Sequence, residues 1–164
     1  SSGFNIRPME IQAAIGRVQL KSLDEFVAKR RENVNKVKNA ISGTKLSIIG
    51  VDENVGILED LSHSWMHIPL KITSSNAKEI RSYIVKTLEN HGIETRPPLT
   101  GNFLRQPAAR KFFPNLHDER GFPIADSISD STFLVGCHHD LNKDQVRYLC
   151  DNLNIVASNI SKLE

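Results

Sequence analysis

The sequence predicts an α/β (α+β) chain: a long leading helix, then a small sheet with helices around it. Two observations carry that expectation. Apolar residues recur at helical spacing from Pro8 to about Ser42, and beyond that point short strand-like runs are separated by stretches that return to the helical period.

The leading stretch carries Ile11, Ile15 and Val18, then Leu23, Phe26 and Val27, then Val34, Val37 and Ile41. These mark one long helix or two consecutive ones, with a break near Ser22 compatible with either. Pro8 suits a first turn because its missing N–H has no partner to lose there, and Ser42-Gly43 supplies the stop. An edge strand is expected near Leu46–Ile49, followed by a loop to Ser64. Trp65–Ile72 alternates as a half-buried strand, which Pro69 assigns to a sheet edge or a bulge.

Asn76 is expected to cap a helix that puts Ile80, Tyr83, Ile84 and Leu88 on one face and ends at His91-Gly92. A strand, Ile93–Arg96, stops at Pro97-Pro98; Asn102–Phe113 reads as irregular or weakly helical, and Pro114–Gly121 as loop. Ala125–Ser131 reads as a short helix and Thr132–Gly136 as a strand. A closing helix spans Leu141–Ile160, with Asn142 as its cap and Val146, Leu149, Leu153 and Val156 as its apolar stripe. Trp65 and Phe133 are assigned to the core.

With 164 residues, 39% hydrophobic and 24% charged, the chain has the make-up of one folded domain. The net charge of +2 is spread through alternating signs, so nucleic acid is not an expected partner. Lys29-Arg30-Arg31 lies among Asp24, Glu25 and Glu32 and reads as a solvated ion-pairing helix face. No apolar stretch approaches the roughly 20 residues that cross a bilayer, so no membrane role is expected. Cys137 and Cys150 match no zinc or haem spacing, and the expected setting is cytoplasmic with both thiols reduced. The chain opens Ser1-Ser2-Gly3-Phe4 without methionine, which fits a processed protein or an excised piece; length does not decide between them.

The run Gly3-Phe4-Asn5-Ile6-Arg7-Pro8-Met9-Glu10-Ile11-Gln12-Ala13-Ala14-Ile15-Gly16, with Gln19-Leu20 and Leu23-Asp24-Glu25-Phe26 after it, resembles a signature of the DegT/DnrJ/EryC1/StrS aminotransferase family. The resemblance continues in order through Arg30-Arg31, the Trp65 strand and Gly92-Ile93-Glu94-Thr95-Arg96-Pro97. Gly101–Ala108 is similar to a stretch of that family's nucleotide-sugar 3-dehydratases, the branch that includes colitose-type 3,6-dideoxysugar enzymes.

The resemblance implies the small C-terminal domain of the aspartate-aminotransferase-like (PLP type I) fold, with a small, mostly antiparallel sheet. Residues 1–43 would be the lead-in helix from a cofactor-binding domain outside the chain, and 44–164 the substrate-closing domain. The coenzyme would be pyridoxal 5'-phosphate. Its attachment residue, a lysine in aminotransferases and a histidine in dehydratases, would lie upstream, leaving no catalytic residue here and an isolated chain inactive. The implied reaction is 3-dehydration or transamination of a 4-keto-6-deoxy nucleotide sugar in deoxysugar or O-antigen biosynthesis. The rival reading is a non-catalytic interaction module derived from the small domain; a helix-turn-helix regulator is disfavoured because no helix clusters basic residues.

By the same resemblance, Asn5 would donate to the coenzyme phosphate of a neighbouring subunit, implying a homodimer through the leading helix with a shared active site. A local alternative for Asn5 is a turn before the helix. Arg7 can serve a phosphate or pair with Glu10. Arg96 and Arg105 are candidates for the substrate diphosphate and Asn102 for a sugar hydroxyl, against the alternative that each is a surface side chain. His138-His139-Asp140 looks metal-like, yet neighbours on an extended chain point to opposite faces, so no metal is expected. Two separated cysteines also cannot supply an iron–sulfur cluster.

Overall fold

The computed structural model describes residues 9–51, 63–113 and 121–164. Two consecutive helices lead, α1 (Glu10–Leu20) and α2 (Leu23–Ala40). They separate at Lys21-Ser22, whose N–H groups turn back to the carbonyls of Val18 and Gln19. Helix α1 starts at Glu10, with the Gln12 side chain accepting from the Met9 N–H at 3.2 Å, so the proline start expected at Pro8 lies outside the described residues. The two helices share a period but differ in burial. Val34 and Val37 of α2 are fully buried, whereas α1 buries no side chain and leaves Ile11, Ile15 and Val18 exposed by 70%, 59% and 63%.

Strands β1 (Leu46–Ile48), β2 (His67–Ile72), β3 (Thr95–Arg96) and β4 (Thr132–Gly136) form one antiparallel sheet in the order β1-β2-β4-β3. The register sets Leu70 opposite both Ile48 and Phe133, Ile72 opposite Leu46, and Ile68 opposite Val135. Directly opposed residues share a face, so all seven stand on one side, where all seven are buried. The other face carries Ser47, Lys71, Pro69, Leu134 and Arg96, none of them buried, and Thr132, which is buried.

This topology corrects the placement of Pro69. Strand β2 is interior, paired with β1 on one side and β4 on the other, and not an edge. In an antiparallel ladder a residue's N–H and C=O point to the same neighbour. The Pro69 carbonyl accepts from Ile49 N at 2.9 Å, so the absent N–H also faces the β1 side, one residue past Ile48, where β1 ends. Toward β4 nothing is lost, and the proline shortens β1 instead of displacing β2.

Helices α2, α3 (Ala77–Asn90) and α6 (Lys143–Asn159) cover the apolar face. Ile80, Ile84 and Leu88 of α3 are buried one turn apart, but Tyr83 is about half exposed, a correction to its expected place on the inner face. Asn76 precedes α3 without a side-chain cap bond, so its expected capping role is also corrected; its own N–H instead donates to Ser74 Oγ. Asn142 does cap α6: its Oδ1 accepts from Gln145 N and Gln145 Oε1 accepts from Asn142 N, both at 2.9 Å. Val146, Leu149, Leu153 and Val156 are the buried stripe of α6 as expected, and Trp65 and Phe133 lie in the core. Two shorter helices, α4 (Pro107–Phe112) and α5 (Pro123–Ser131), follow β3, and α5 packs on α3, β2 and β4.

Phe133, fully buried at the centre of the sheet, should cost about 3–5 kcal/mol as Phe133→Ala, whereas Asn142→Ala should cost about 1 kcal/mol. Urea unfolding of the chain checks this; a Phe133→Ala loss no larger than the cap loss would contradict the single-faced core.

Candidate functional site

After β3 the chain turns sharply. Pro97-Pro98 ends the strand, Gly101 N closes a turn on Pro98 O at 2.7 Å, and a 3-10 turn, Phe103–Arg105, leads into α4. Within that turn Leu99 has φ +33° and is 95% exposed, a left-handed conformation that a branched side chain adopts at a cost. Gly101 has φ +55°, and a Cβ built on it would lie 2.5 Å from Ser129 Oγ. Only glycine allows the turn to approach α5 this closely.

The loop is tied to α5 by polar groups. Asn102, 7% exposed, accepts from Leu104 N through Oδ1 at 3.0 Å and donates through Nδ2 to Asp126 Oδ1 at 2.8 Å. Arg105 donates through both terminal nitrogens to the two oxygens of Asp130, at 2.7 and 3.1 Å, and its Nε lies 2.6 Å from Asp126 Oδ1. The hydrogen bonds from Arg105 hold the Asp130 carboxyl below its ordinary value, and Asp130 in turn raises the Arg105 guanidinium. Gln106 Nε2 adds a bond to Thr100 O at 3.3 Å, joining the turn to the start of α4.

The candidate residues therefore fall into three groups. Asn5 and Arg7 lie outside the described residues. Arg96 stands on the sheet face away from the core and pairs only with the exposed Glu94 among the described residues. Asn102 and Arg105 come together on α5, and this arrangement engages them differently from the expected ligand contacts: their donors are already met by Asp126 and Asp130. Those two carboxylates were missed by sequence reading. Their only sequence signal is a spacing of four on the predicted helix, which places both on one face together with Ser129.

His138, His139 and Asp140 require a correction. They follow β4 in a turn, not an extended strand, and their ligand atoms lie within 4.8 Å of one another. Their geometry disfavours chelation for another reason. The two imidazoles stack, centroids 4.2 Å apart at 30°, so their in-plane lone pairs do not converge, and His138 Nδ1 already accepts from Asp140 N at 3.2 Å. The stack continues onto Phe26 of α2 at 3.8 Å, which makes His139 a packing residue. The basic run is a solvated ion-pairing face only in part: Lys29 pairs with Glu25 at 2.8 Å, one helical turn away, whereas half-buried Arg31 donates through Nε to His63 O at 3.3 Å and the Arg30 Nε is buried without a partner among the described residues, because these two positions turn toward the fold. A cavity of about 560 Å³ lies between Ile93 and the first turns of α6 near Tyr148; His138 lines it, and Arg96, Asn102 and Arg105 do not. No helix among the described residues is long and apolar enough to cross a membrane.

A coenzyme phosphate calls for converging N–H donors free of competing carboxylates. Asn102 and Arg105 are not of that kind, being engaged by Asp126 and Asp130.

Comparison with known proteins bears on what the loop serves. A model of the DegT/DnrJ/EryC1/StrS aminotransferase family matches residues 1–154. The GDP-4-keto-6-deoxy-D-mannose 3-dehydratase of Yersinia pseudotuberculosis is 32% identical over 153 residues, covering 90% of this chain and 35% of that protein. The solved structure of the Escherichia coli GDP-4-keto-6-deoxy-D-mannose-3-dehydratase with bound hydrated PLP matches with a TM-score of 0.73 at 30% identity, over 92% of this chain and 36% of that one. Helicobacter pylori PseC, an aminotransferase involved in the biosynthesis of pseudoaminic acid, shares the fold with a TM-score of 0.77 at 18% identity, over 98% of this chain and 40% of that one. The chain thus spans well under half the length of each.

The thiols complete the inventory of reactive groups. Cys137 is buried, donates to Arg30 O at 3.4 Å, and is pushed by desolvation up to about 11; burial also raises Cys150. Neither suits a nucleophile. At pH 8 a disulfide reagent should leave Cys137 unmodified in the native chain and label it once denaturant is added. A thiol whose folded value is raised stabilises the fold below its unfolded value, so this contribution should fade between pH 9 and 11, and Cys137→Ala should flatten that decline. Rapid native labelling of Cys137 would contradict its burial.

Proposed function

This chain belongs to the DegT/DnrJ/EryC1/StrS aminotransferase family, and from that premise we propose that it forms the C-terminal, substrate-closing part of a pyridoxal-phosphate enzyme acting on 4-keto-6-deoxy nucleotide sugars. The observation that carries this reading is the family match over residues 1–154, in which the Gly3-Phe4-Asn5 start and the Gly101–Ala108 loop both fall. Relatives at 30–32% identity that are named 3-dehydratases favour 3-dehydration over transamination for the parent protein. The setting is cytoplasmic deoxysugar or O-antigen biosynthesis.

On this reading residues 1–43 lead in from a cofactor-binding domain and 44–164 close over the sugar. The exposed stripe Ile11, Ile15 and Val18 on α1 is then covered by the remainder of the enzyme and by a second subunit, forming a homodimer with a shared active site. Asn5 and Arg7, just ahead of α1, donate to the coenzyme phosphate across that interface. Pyridoxal 5'-phosphate, when bound, supplies the electron sink. Arg96 meets the substrate diphosphate with its planar fork, its one ion pair among the described residues being with exposed Glu94. Asn102 and Arg105 contribute through the loop they hold.

In the full-length protein supplied with pyridoxal phosphate, glutamate and a GDP-4-keto-6-deoxy sugar, loss of the C3 hydroxyl is the expected product change; an aminated sugar would select transamination, and no turnover would sink the reading. Asn5→Ala should lower coenzyme occupancy, read from visible absorbance. Arg96→Ala should weaken nucleotide-sugar binding by about 10-fold or more with occupancy unchanged, and wild-type affinity by calorimetry would remove its assigned role.

A further inference from the structure

We propose that Asp126 and Asp130 of α5 are positioning residues, which through Asn102 and Arg105 fix the Pro98–Gln106 loop in the shape that meets the substrate; the substrate half of this rests on the function proposed above.

Three α5 positions touch the loop. Asp126, Ser129 and Asp130 fall at i, i+3 and i+4, on one face of the helix. Asp126 Oδ1 receives both the Asn102 amide and the Arg105 Nε, Asp130 takes the other two Arg105 nitrogens, and Ser129 packs where Gly101 lacks a Cβ. Helix α5 is in turn fixed against α3 and the sheet, ending at buried Ser131, whose Oγ donates to Ser127 O at 2.6 Å. A rigid chain of contacts thus runs from the core through α5 to the loop.

The loop has little else to order it. Leu99 and Phe103 are about half or more exposed, so apolar burial contributes little, and Leu99 sits in a conformation that relaxes unless the turn is held. Bidentate pairing of a guanidinium with a carboxylate fixes direction as well as distance, which suits a device for holding geometry. Removing either carboxylate leaves Arg105 with a partial set of partners and lets the turn shift. A displacement of about 1 Å in a substrate-positioning segment can cost up to roughly 100-fold in catalysis.

Hydrogen exchange on this chain and kinetics on the full-length enzyme test the two halves separately. In the chain, Asp126→Asn and Asp130→Asn should raise exchange at the Leu104 and Gly101 amides while leaving the Val135 amide as protected as in wild type. In the full-length enzyme both variants should raise KM for the nucleotide sugar by about 10-fold, with kcat and coenzyme absorbance within about twofold of wild type. Asp130→Glu should recover much of the loss. Unchanged Leu104 exchange overturns the proposal outright. Raised exchange with wild-type KM, or a fall in kcat and coenzyme content without a KM change, overturns the positioning role and leaves α5 a purely structural support. A full-length protein inert toward nucleotide sugars sinks the function and the substrate half together, and the exchange result alone then decides the loop contact.

Discussion

The fold depends on one constraint: the sheet register keeps Leu46, Ile48, Ile68, Leu70, Ile72, Phe133 and Val135 together on one buried face. Leu70 faces Ile48 on one side and Phe133 on the other, so slipping β1 or β4 by one residue would turn Leu46 and Ile48, or Phe133 and Val135, to the outer face. Helices α2, α3 and α6 are held by burial against that face, each with an apolar stripe of matching period. The opposite face carries Ser47, Pro69, Lys71, Thr132, Leu134 and Arg96. Any ligand met by Arg96 is therefore met on the side away from the core, where substitution does not compete with packing.

Elements whose signal is local periodicity were legible in the sequence. Strand β4, the stripe and the Asn142 cap of α6, and the α3 stop at Gly92 required only nearby residues. Pro69 was misplaced because its cost depends on where a different strand ends, and the end of β1 is a property of the sheet, not of the β2 sequence. Tyr83 has the right spacing but lies at the margin of the stripe. The loop clamp was illegible for the same kind of reason: Arg105 and Asp130 are 25 residues apart, and two acids on a short helix carry no marker that distinguishes a clamp from a solvated face. The His138 turn was misread because an extended chain was assumed where the backbone turns.

The contrast between α1 and α2 shows what periodicity cannot convey. Both alternate apolar and polar residues at the helical period, yet only α2 reaches the core. Amphipathicity records that a face is to be covered, not by what. The family match extends through α1, and the related enzymes are more than twice as long as this chain, so the covering surface proposed for Ile11, Ile15 and Val18 follows from the same premise as the function.

The clamp also bears on how charge is distributed at the proposed substrate edge. One guanidinium shared by two carboxylates leaves no free cation within the clamp itself, and Lys78 and Arg81 of α3 act on Asp130 from outside it. Such an arrangement is tolerable if the loop's contribution is shape and the attraction comes from cations outside the clamp. Arg96 fits that division, because its partner Glu94 is an exposed residue just before the strand and water screens the pair. Ligand binding at Arg96 then displaces a weak surface contact, whereas binding at Arg105 would have to break a bidentate one. The same chemistry that makes Arg105 attractive as a phosphate ligand in the sequence makes it, in the fold, the residue least free to move toward one.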